Sequence, residues 1–201
     1  VVEGQPELAA ERTQNGQGAK LIMPGPSGQE LEIMLSLLQS LGAGVSRTQV
    51  LDQLLGSLLR AMQAARAFLF RWDNRRSTAR CEMSLFADGA DREAPVSATL
   101  VKKVAREREP YLANDLQENA DPTPSVHRLA AAHVQSMVIA PLKLGRKLVG
   151  LLYLDSPAAR RSFTTSDLDL LARSSQYLAG VLDAMEEREE LTVENQRLRE
   201  L

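Results

Sequence analysis

An apolar hairpin that leads into a long capped helix constrains this chain more than any other feature. Residues 134–183 read VQSMVIAPLKLGRKLVGLLYLDSPAARRSFTTSDLDLLARSSQYLAGVLD. An apolar strand runs to Pro141, Gly145-Arg146-Lys147 supply a tight turn, and a second apolar run from Leu148 to Leu154 stops at Asp155. A polar loop follows, and Thr164 or Thr165 caps a helix with Asp167 as an acidic first-turn residue.

The upstream sequence supplies elements to pack against this unit. Residues 1–28 are rich in Gly, Gln and Pro without apolar periodicity, and are expected to be a flexible linker. Leu31, Met34, Leu35, Leu38 and Leu41 recur at helical spacing, Gly42-Ala43-Gly44 breaks the run, and Ser46 caps a second helix. That helix has a stripe of Val50, Leu54, Leu55, Leu58, Leu59 and Met62. The period then falls to two. Ala67–Trp72 and Thr78–Phe86 read as a hairpin around Asp73-Asn74-Arg75-Arg76. Ser97 caps a short helix, Tyr111-Leu112-Ala113 is a brief strand, and Ser125 can cap a further helix over Val126–Ala132.

The last helix can continue to Leu201, roughly 50 Å at 1.5 Å per residue. Tyr177, Val181, Ala184, Arg188, Leu191, Asn195 and Leu198 alternate at four and three residues, a coiled-coil register with Leu at d and Asn195 at a. Such an Asn favours a parallel in-register dimer; the alternative is a solvated single helix.

Composition excludes several classes. A net charge of −2 gives no global basic field for nucleic acid or an anionic membrane. No run is long and apolar enough for a membrane span, and the start lacks the form of a signal peptide. The single cysteine, Cys81, forbids an internal disulfide and fits a reducing compartment, so a cytoplasmic setting is expected. The chain opens on Val1 rather than Met, and a longer parent protein is the expectation.

The ordered series resembles the GAF domain family over roughly residues 47–187. The resemblance rests on the strand Ser136–Leu142, the turn at Gly145, the Val149–Asp155 strand and the Phe163–Leu171 helix start. Glu109-Pro110-Tyr111 and Asn114-Asp115 fall where GAF domains have such elements. It implies an α+β fold with an antiparallel sheet of about five to six strands. Short helices would cover one face, and an N- and C-terminal helix bundle the other. The sensor domain would span 29–187, with 188–201 a coiled-coil helix toward a downstream output domain. The resemblance also implies a cavity under the short helices. Candidate lining residues from the strands are Phe70, Cys81, Met83, Ser136, Val138 and Tyr153; from the lid they are Asp115 and His127. The terminal helices would form a homodimer through Leu35, Leu38, Tyr177 and Val181, continued by Leu191, Asn195 and Leu198.

The chemistry of single residues narrows the reading. His127 and His133 are six apart, which does not place both on one helix face, so no metal site is assigned. Cys81 has no neighbouring His of the kind that accompanies bilin attachment in some GAF domains. One cysteine also cannot regenerate through an intramolecular disulfide, as methionine-sulfoxide-reducing relatives do. The Asn-Lys-x-x-Phe-x-x-x-Asp/Glu signature of cyclic-nucleotide-binding relatives is absent. Alternation places Ala79, Cys81, Met83 and Leu85 on one strand face, where Cys81 reads as a small buried hydrophobe or as a pocket or redox thiol. His127 is a lid contact or a surface residue; Asp115 orients a ligand group or belongs to an ordinary turn. His133 reads as a helix-end cap. Arg75-Arg76 and Arg160-Arg161 read as solvated loop pairs, with no direct nucleic-acid binding. No catalytic constellation appears.

The leading expectation is therefore a non-enzymatic sensor. An unidentified small molecule or partner would bias the terminal helices, and the ENQRLREL ending resembles a linker to an enhancer-dependent sigma-factor activator ATPase. A histidine kinase or cyclic-dinucleotide enzyme is the alternative parent. A structural dimerisation module, its pocket plugged by Phe68, Phe70, Met83, Met137 and Tyr153, is the second class of reading, and an enzyme acting through Cys81 the third.

Overall fold

Each helix starts where the sequence places a side-chain acceptor. The computed structural model describes residues 27–93, 95–114, 116, 133–157 and 160–199. Ser27 Oγ accepts from Glu30 N at 3.2 Å to open α1 (Gly28–Ala43). Ser46 and Gln49 form a reciprocal capping box at the start of α2 (Arg47–Met62), and Ser97 Oγ accepts from Leu100 N at 3.2 Å ahead of α3 (Ala98–Glu107). Thr164 and Asp167 cap each other at the start of α4 (Thr165–Arg199): Asp167 N donates to Thr164 Oγ1 at 3.3 Å, and Thr164 N donates to Asp167 Oδ2 at 2.7 Å. Gly44, at φ 65, ends α1 in the left-handed region that glycine enters at least cost.

Between the helices lie β1 (Arg66–Asp73), β2 (Thr78–Phe86), β3 (Tyr111–Ala113), β4 (Val134–Leu144) and β5 (Lys147–Pro157). They form one antiparallel sheet in the order β2-β1-β5-β4-β3. The fold is the expected α+β arrangement with five strands. The β4 strand does not stop at Pro141, which pairs with Leu151 and lies inside it. Its missing N–H costs little there, because the pairing of short β3 with β4 ends at Ile139.

The sheet separates two cores. On one face α1, α2 and α4 cover Ala67, Leu69, Val138, Ala140, Leu152 and Leu154. On the other, α3 covers Phe68, Met137, Ile139, Leu151 and Tyr153. Fully burying a side chain of this size contributes roughly 1.5–3 kcal/mol, so the two cores together hold the sheet from both sides.

Two sequence expectations change here. A register shift opposite Leu69/Phe70 breaks the alternation of β2. Met83 pairs with Leu69 and packs on the helix-bundle side, whereas Cys81 pairs with Phe70. Cys81 and Met83 therefore do not share a face. In α1 the residues that face the core are Ile33 and Leu37, while Leu31, Leu35 and Leu38 are exposed. The helix is apolar on two sides, and the periodic stripe in the sequence was the outer one. The tail 1–26, the Val126–Ala132 helix, Asp115 and His127 lie outside the described residues.

Candidate functional site

The face of the sheet beneath α3 carries an aromatic floor and a buried charge pair. Phe68 and Phe70 stack at 6.0 Å between centroids, and Tyr153 meets them edge-on at 5.6 and 6.4 Å. Phe86 closes the cluster at 5.8 Å from Phe68. Such pairs add to simple burial because ring edges and faces carry opposite partial charge.

At the end of this floor nearest the start of α3, Arg66 and Asp155 sit opposite each other in the β1–β5 register. Both are buried. Arg66 Nε donates to Asp155 Oδ1 at 2.8 Å and Nη2 donates to Oδ2. Tyr153 OH donates to Asp155 Oδ2 at 3.0 Å. Arg66 also donates to the carbonyls of Asp91 and Pro95 and lies over the Phe68 ring at 5.4 Å. It thereby ties the 87–97 loop to the sheet.

Burial works against the Arg66 charge, yet hydrogen bonding to and attraction from Asp155 hold the guanidinium above its ordinary pKa. Burial pushes the Asp155 carboxyl up, against the pull of Arg66 and Tyr153. Burial first, and then the Asp155 charge, drive the Tyr153 phenol well above its usual value, so it stays a neutral donor. A cavity of about 160 Å³ opens beside the pair, lined by Gly89, His133 and Val134 among others. That is room for water rather than for a drug-sized ligand.

A second polar cluster joins β3 to the start of α4. Ser136 Oγ donates to Asn114 Oδ1, Asn114 Nδ2 donates to the Phe163 carbonyl at 2.9 Å, and Phe163 N donates to Ser136 Oγ at 2.9 Å. The point where the chain leaves β3 is thus bonded directly to the residues that launch the long helix.

Of the strand candidates, Phe70 and Tyr153 lie on the α3 face of the sheet, within the aromatic floor. Val138 and Met83 are corrected: both pack on the helix-bundle side, because strand alternation and the β2 bulge turn them there. Ser136 is buried in the Asn114–Phe163 cluster and is a structural linker. Cys81 is exposed rather than core-buried; its Sγ donates to the Met83 carbonyl at 3.5 Å, and partial desolvation raises its thiol pKa. Asp115 and His127 lie outside the described residues. Arg160 and Arg161 are not simply solvated: Arg160 donates to the Ala64 and Asp88 carbonyls, and Arg161 makes a bidentate pair with Asp167. His133 is exposed at φ 57.

On the bundle side Leu35 and Leu38 are each 54% exposed, and Leu191, Asn195 and Leu198 are exposed on α4. Tyr177 OH donates to Glu30 at 2.9 Å, joining α4 to α1. Val181, expected at a dimer interface, is buried in the chain's own core. Sequence reading missed Arg66. The available signal was an arginine opening one apolar strand and an aspartate closing its antiparallel neighbour.

Comparison with known proteins agrees with this architecture. The sequence model of the GAF domain matches residues 44–183. The GAF domain of an Acinetobacter phosphoenolpyruvate-protein phosphotransferase superimposes with a TM-score of 0.59 at 20% identity, covering 82% of this chain and 99% of that one. The corresponding domain from Coxiella burnetii gives 0.61 at 16% identity, covering 82% and 99%. A far-red-absorbing dark state with bound biliverdin IXa gives 0.60 at 15% identity, covering 77% and 99%. No curated protein matches the chain in sequence. Among the described residues no helix is long and apolar enough to cross a membrane.

Proposed function

The chain belongs to the GAF domain family, and from that premise we propose that it is a non-enzymatic regulatory sensor acting as a homodimer. A small molecule or partner bound over the α3 face biases the terminal helices, and α4 carries that bias to an output domain. A cytoplasmic transcription regulator of the enhancer-dependent sigma-factor activator type is the preferred parent, with a histidine kinase or cyclic-dinucleotide enzyme as the alternative.

One observation carries the reading. α4 packs on the chain's own core as far as Met185, yet every described residue from Glu186 to Arg199 is exposed. Leu191 and Leu198, at 64% and 62% exposure, sit a heptad apart with Asn195 between them. An isolated helical extension is marginal in water, and a second copy would bury this seam. Support for helix signalling comes from the Ser136 cluster, which bonds the exit of β3 to the entrance of α4. Support for a binding rather than catalytic role comes from the Arg66–Asp155–Tyr153 group, whose polar atoms are already engaged, and from a Cys81 thiol whose raised pKa leaves little thiolate at neutral pH.

Sedimentation velocity tests the dimer. The chain should sediment as a dimer, and Leu191→Glu/Leu198→Glu as a folded monomer; a monomeric parent at about 100 µM, well above typical working affinities, would sink the reading. The Phe68, Phe70, Phe86 and Tyr153 cluster favours a second reading, a dimerisation module with a filled pocket. Native mass spectrometry of the purified chain separates the two. A co-purifying small molecule, with altered hydrogen exchange over 178–198 on its removal, supports the sensor.

A further inference from the structure

The opposite end of α3 presents a charged cleft that the reading above does not use. It has a volume of about 670 Å³, within the ~300–1,000 Å³ typical of ligand sites. Its walls come from the β1–β2 hairpin and from α3: Trp72, Asn74 and Ser77 on one side, Lys102, Lys103 and Arg106 on the other. Arg75 and Arg76 stand on the adjoining turn. The chain as a whole is slightly acidic, with a net charge of −2, so this is a local concentration of cations against the global sign.

The neighbouring acids engage only part of it. Asp73 Oδ1 accepts from the Arg75 and Arg76 amides at 2.8 and 3.1 Å, and its Oδ2 lies 3.9 Å from Arg76 Nε. Glu107 reaches only Arg106, at 3.5 Å on the surface. Among the described residues Lys102, Lys103 and Arg75 have no carboxylate within salt-bridge distance. Cations at a helix C-terminus are ordinarily explained by the helix dipole. That accounts for Arg106 and Arg108 alone. It does not account for Lys102 and Lys103, one turn earlier on the helix, or for an indole in the facing wall.

The walls are held in place from behind. Asn74 Nδ2 donates to the Leu148 carbonyl at 2.9 Å, which fixes the hairpin turn against β5. Lys143 Nζ donates to the Arg108 carbonyl at 3.0 Å, and Arg108 Nη1 donates to the Arg146 carbonyl, which fixes the end of α3 against the β4–β5 turn. Lys103 lies over the Tyr111 ring at 4.7 Å.

We propose that this cleft binds a nucleoside polyphosphate. The phosphates lie along Lys102, Lys103 and Arg106, and the base stacks on Trp72. The cation row alone would take any polyanion. The single aromatic wall favours one that carries a flat ring, and one ring suits a mononucleotide better than a strand of stacked bases.

Trp72 is the chain's only tryptophan, so its fluorescence reports the site directly. ATP and GTP are titrated into the 201-residue chain, with N-acetyltryptophanamide as the inner-filter control. Saturable quenching is expected, with weaker binding of inorganic triphosphate and none of adenosine. Lys102→Gln and Arg106→Gln, both exposed positions, should each weaken binding about tenfold, as the loss of one charge-assisted contact does. No saturable quenching by either triphosphate overturns the proposal, as does unchanged affinity in both variants. Tighter binding of a single-stranded oligonucleotide than of the triphosphates also overturns it and makes the surface a nucleic-acid contact. The sedimentation behaviour of the dimer is independent of all these outcomes.

Discussion

Arg66 and Asp155 show what a buried charge contributes to this fold. Two ions removed from water cost several kcal/mol each, and their attraction offsets that only while both are present. Arg66→Met would leave the Asp155 carboxyl buried with Tyr153 alone as donor. The expected loss is ~3–5 kcal/mol, read as a lower urea midpoint. Arg66→Met/Asp155→Leu should recover most of it, because no unpaired charge remains. A double variant as unstable as the single would show that Arg66 acts mainly through the Asp91 and Pro95 carbonyls it also holds. Gly150 is limited by space instead of charge. A Cβ there would stand 2.5 Å from the Phe70 carbonyl oxygen across the β1–β5 pair. Gly150→Ala should destabilise by about 1–3 kcal/mol through strand displacement, whereas Gly180→Ala, with nothing within 4 Å, should not destabilise.

Among the elements, helix starts were the most legible part of the sequence, since a cap is a local arrangement of a few residues. Ser46 with Gln49, Ser97, and Thr164 with Asp167 could all be read without knowing the fold. The facing of α1 and β2 could not. α1 is apolar on two sides, so periodicity alone did not say whether Ile33 or Leu35 looks inward. The β2 bulge, which separates Cys81 from Met83, is a property of pairing with β1 and leaves no mark in the strand's own residues. The α4 start also has a definite pH response. Burial would raise the Asp167 pKa, but Arg161 and the Thr164 amide and hydroxyl hold it below its ordinary value. A carboxylate with a lowered folded pKa contributes fully above its unfolded pKa of about 3.9 and loses that contribution as pH falls through the folded value. Asp167→Asn should therefore lower stability by ~1 kcal/mol at neutral pH, as loss of a cap does. The gap to the parent should close in acid, as pH falls through the lowered folded pKa and both carboxyl and amide become neutral. Thermal midpoints measured at both pH values check this; a gap that persists in acid would mean the substitution acts through packing.

The molecule as a whole has one helix that serves two surfaces. Ile33 and Leu37 of α1 belong to the core on the helix face of the sheet, at 3% and 2% exposure, while Leu31, Leu35 and Leu38 face outward. Glu30 ties the start of α1 to α4 through Arg173 and Tyr177. In the proposed dimer this arrangement separates folding from assembly within a few residues of sequence. Leu37→Ala removes a buried side chain and should cost ~2–5 kcal/mol of fold stability. Leu35→Ser/Leu38→Ser removes only exposed apolar surface from the isolated chain and should leave the urea midpoint of the monomeric Leu191→Glu/Leu198→Glu background nearly unchanged. In the parent background the same pair should weaken association, so that at a concentration where the parent is dimeric the thermal midpoint is lower than the parent's and changes less on dilution, as linkage between folding and dimerisation requires. If the pair instead lowers the midpoint of the monomeric background as much as Leu37→Ala does, the outer stripe supports the fold itself and α1 is not an interface helix.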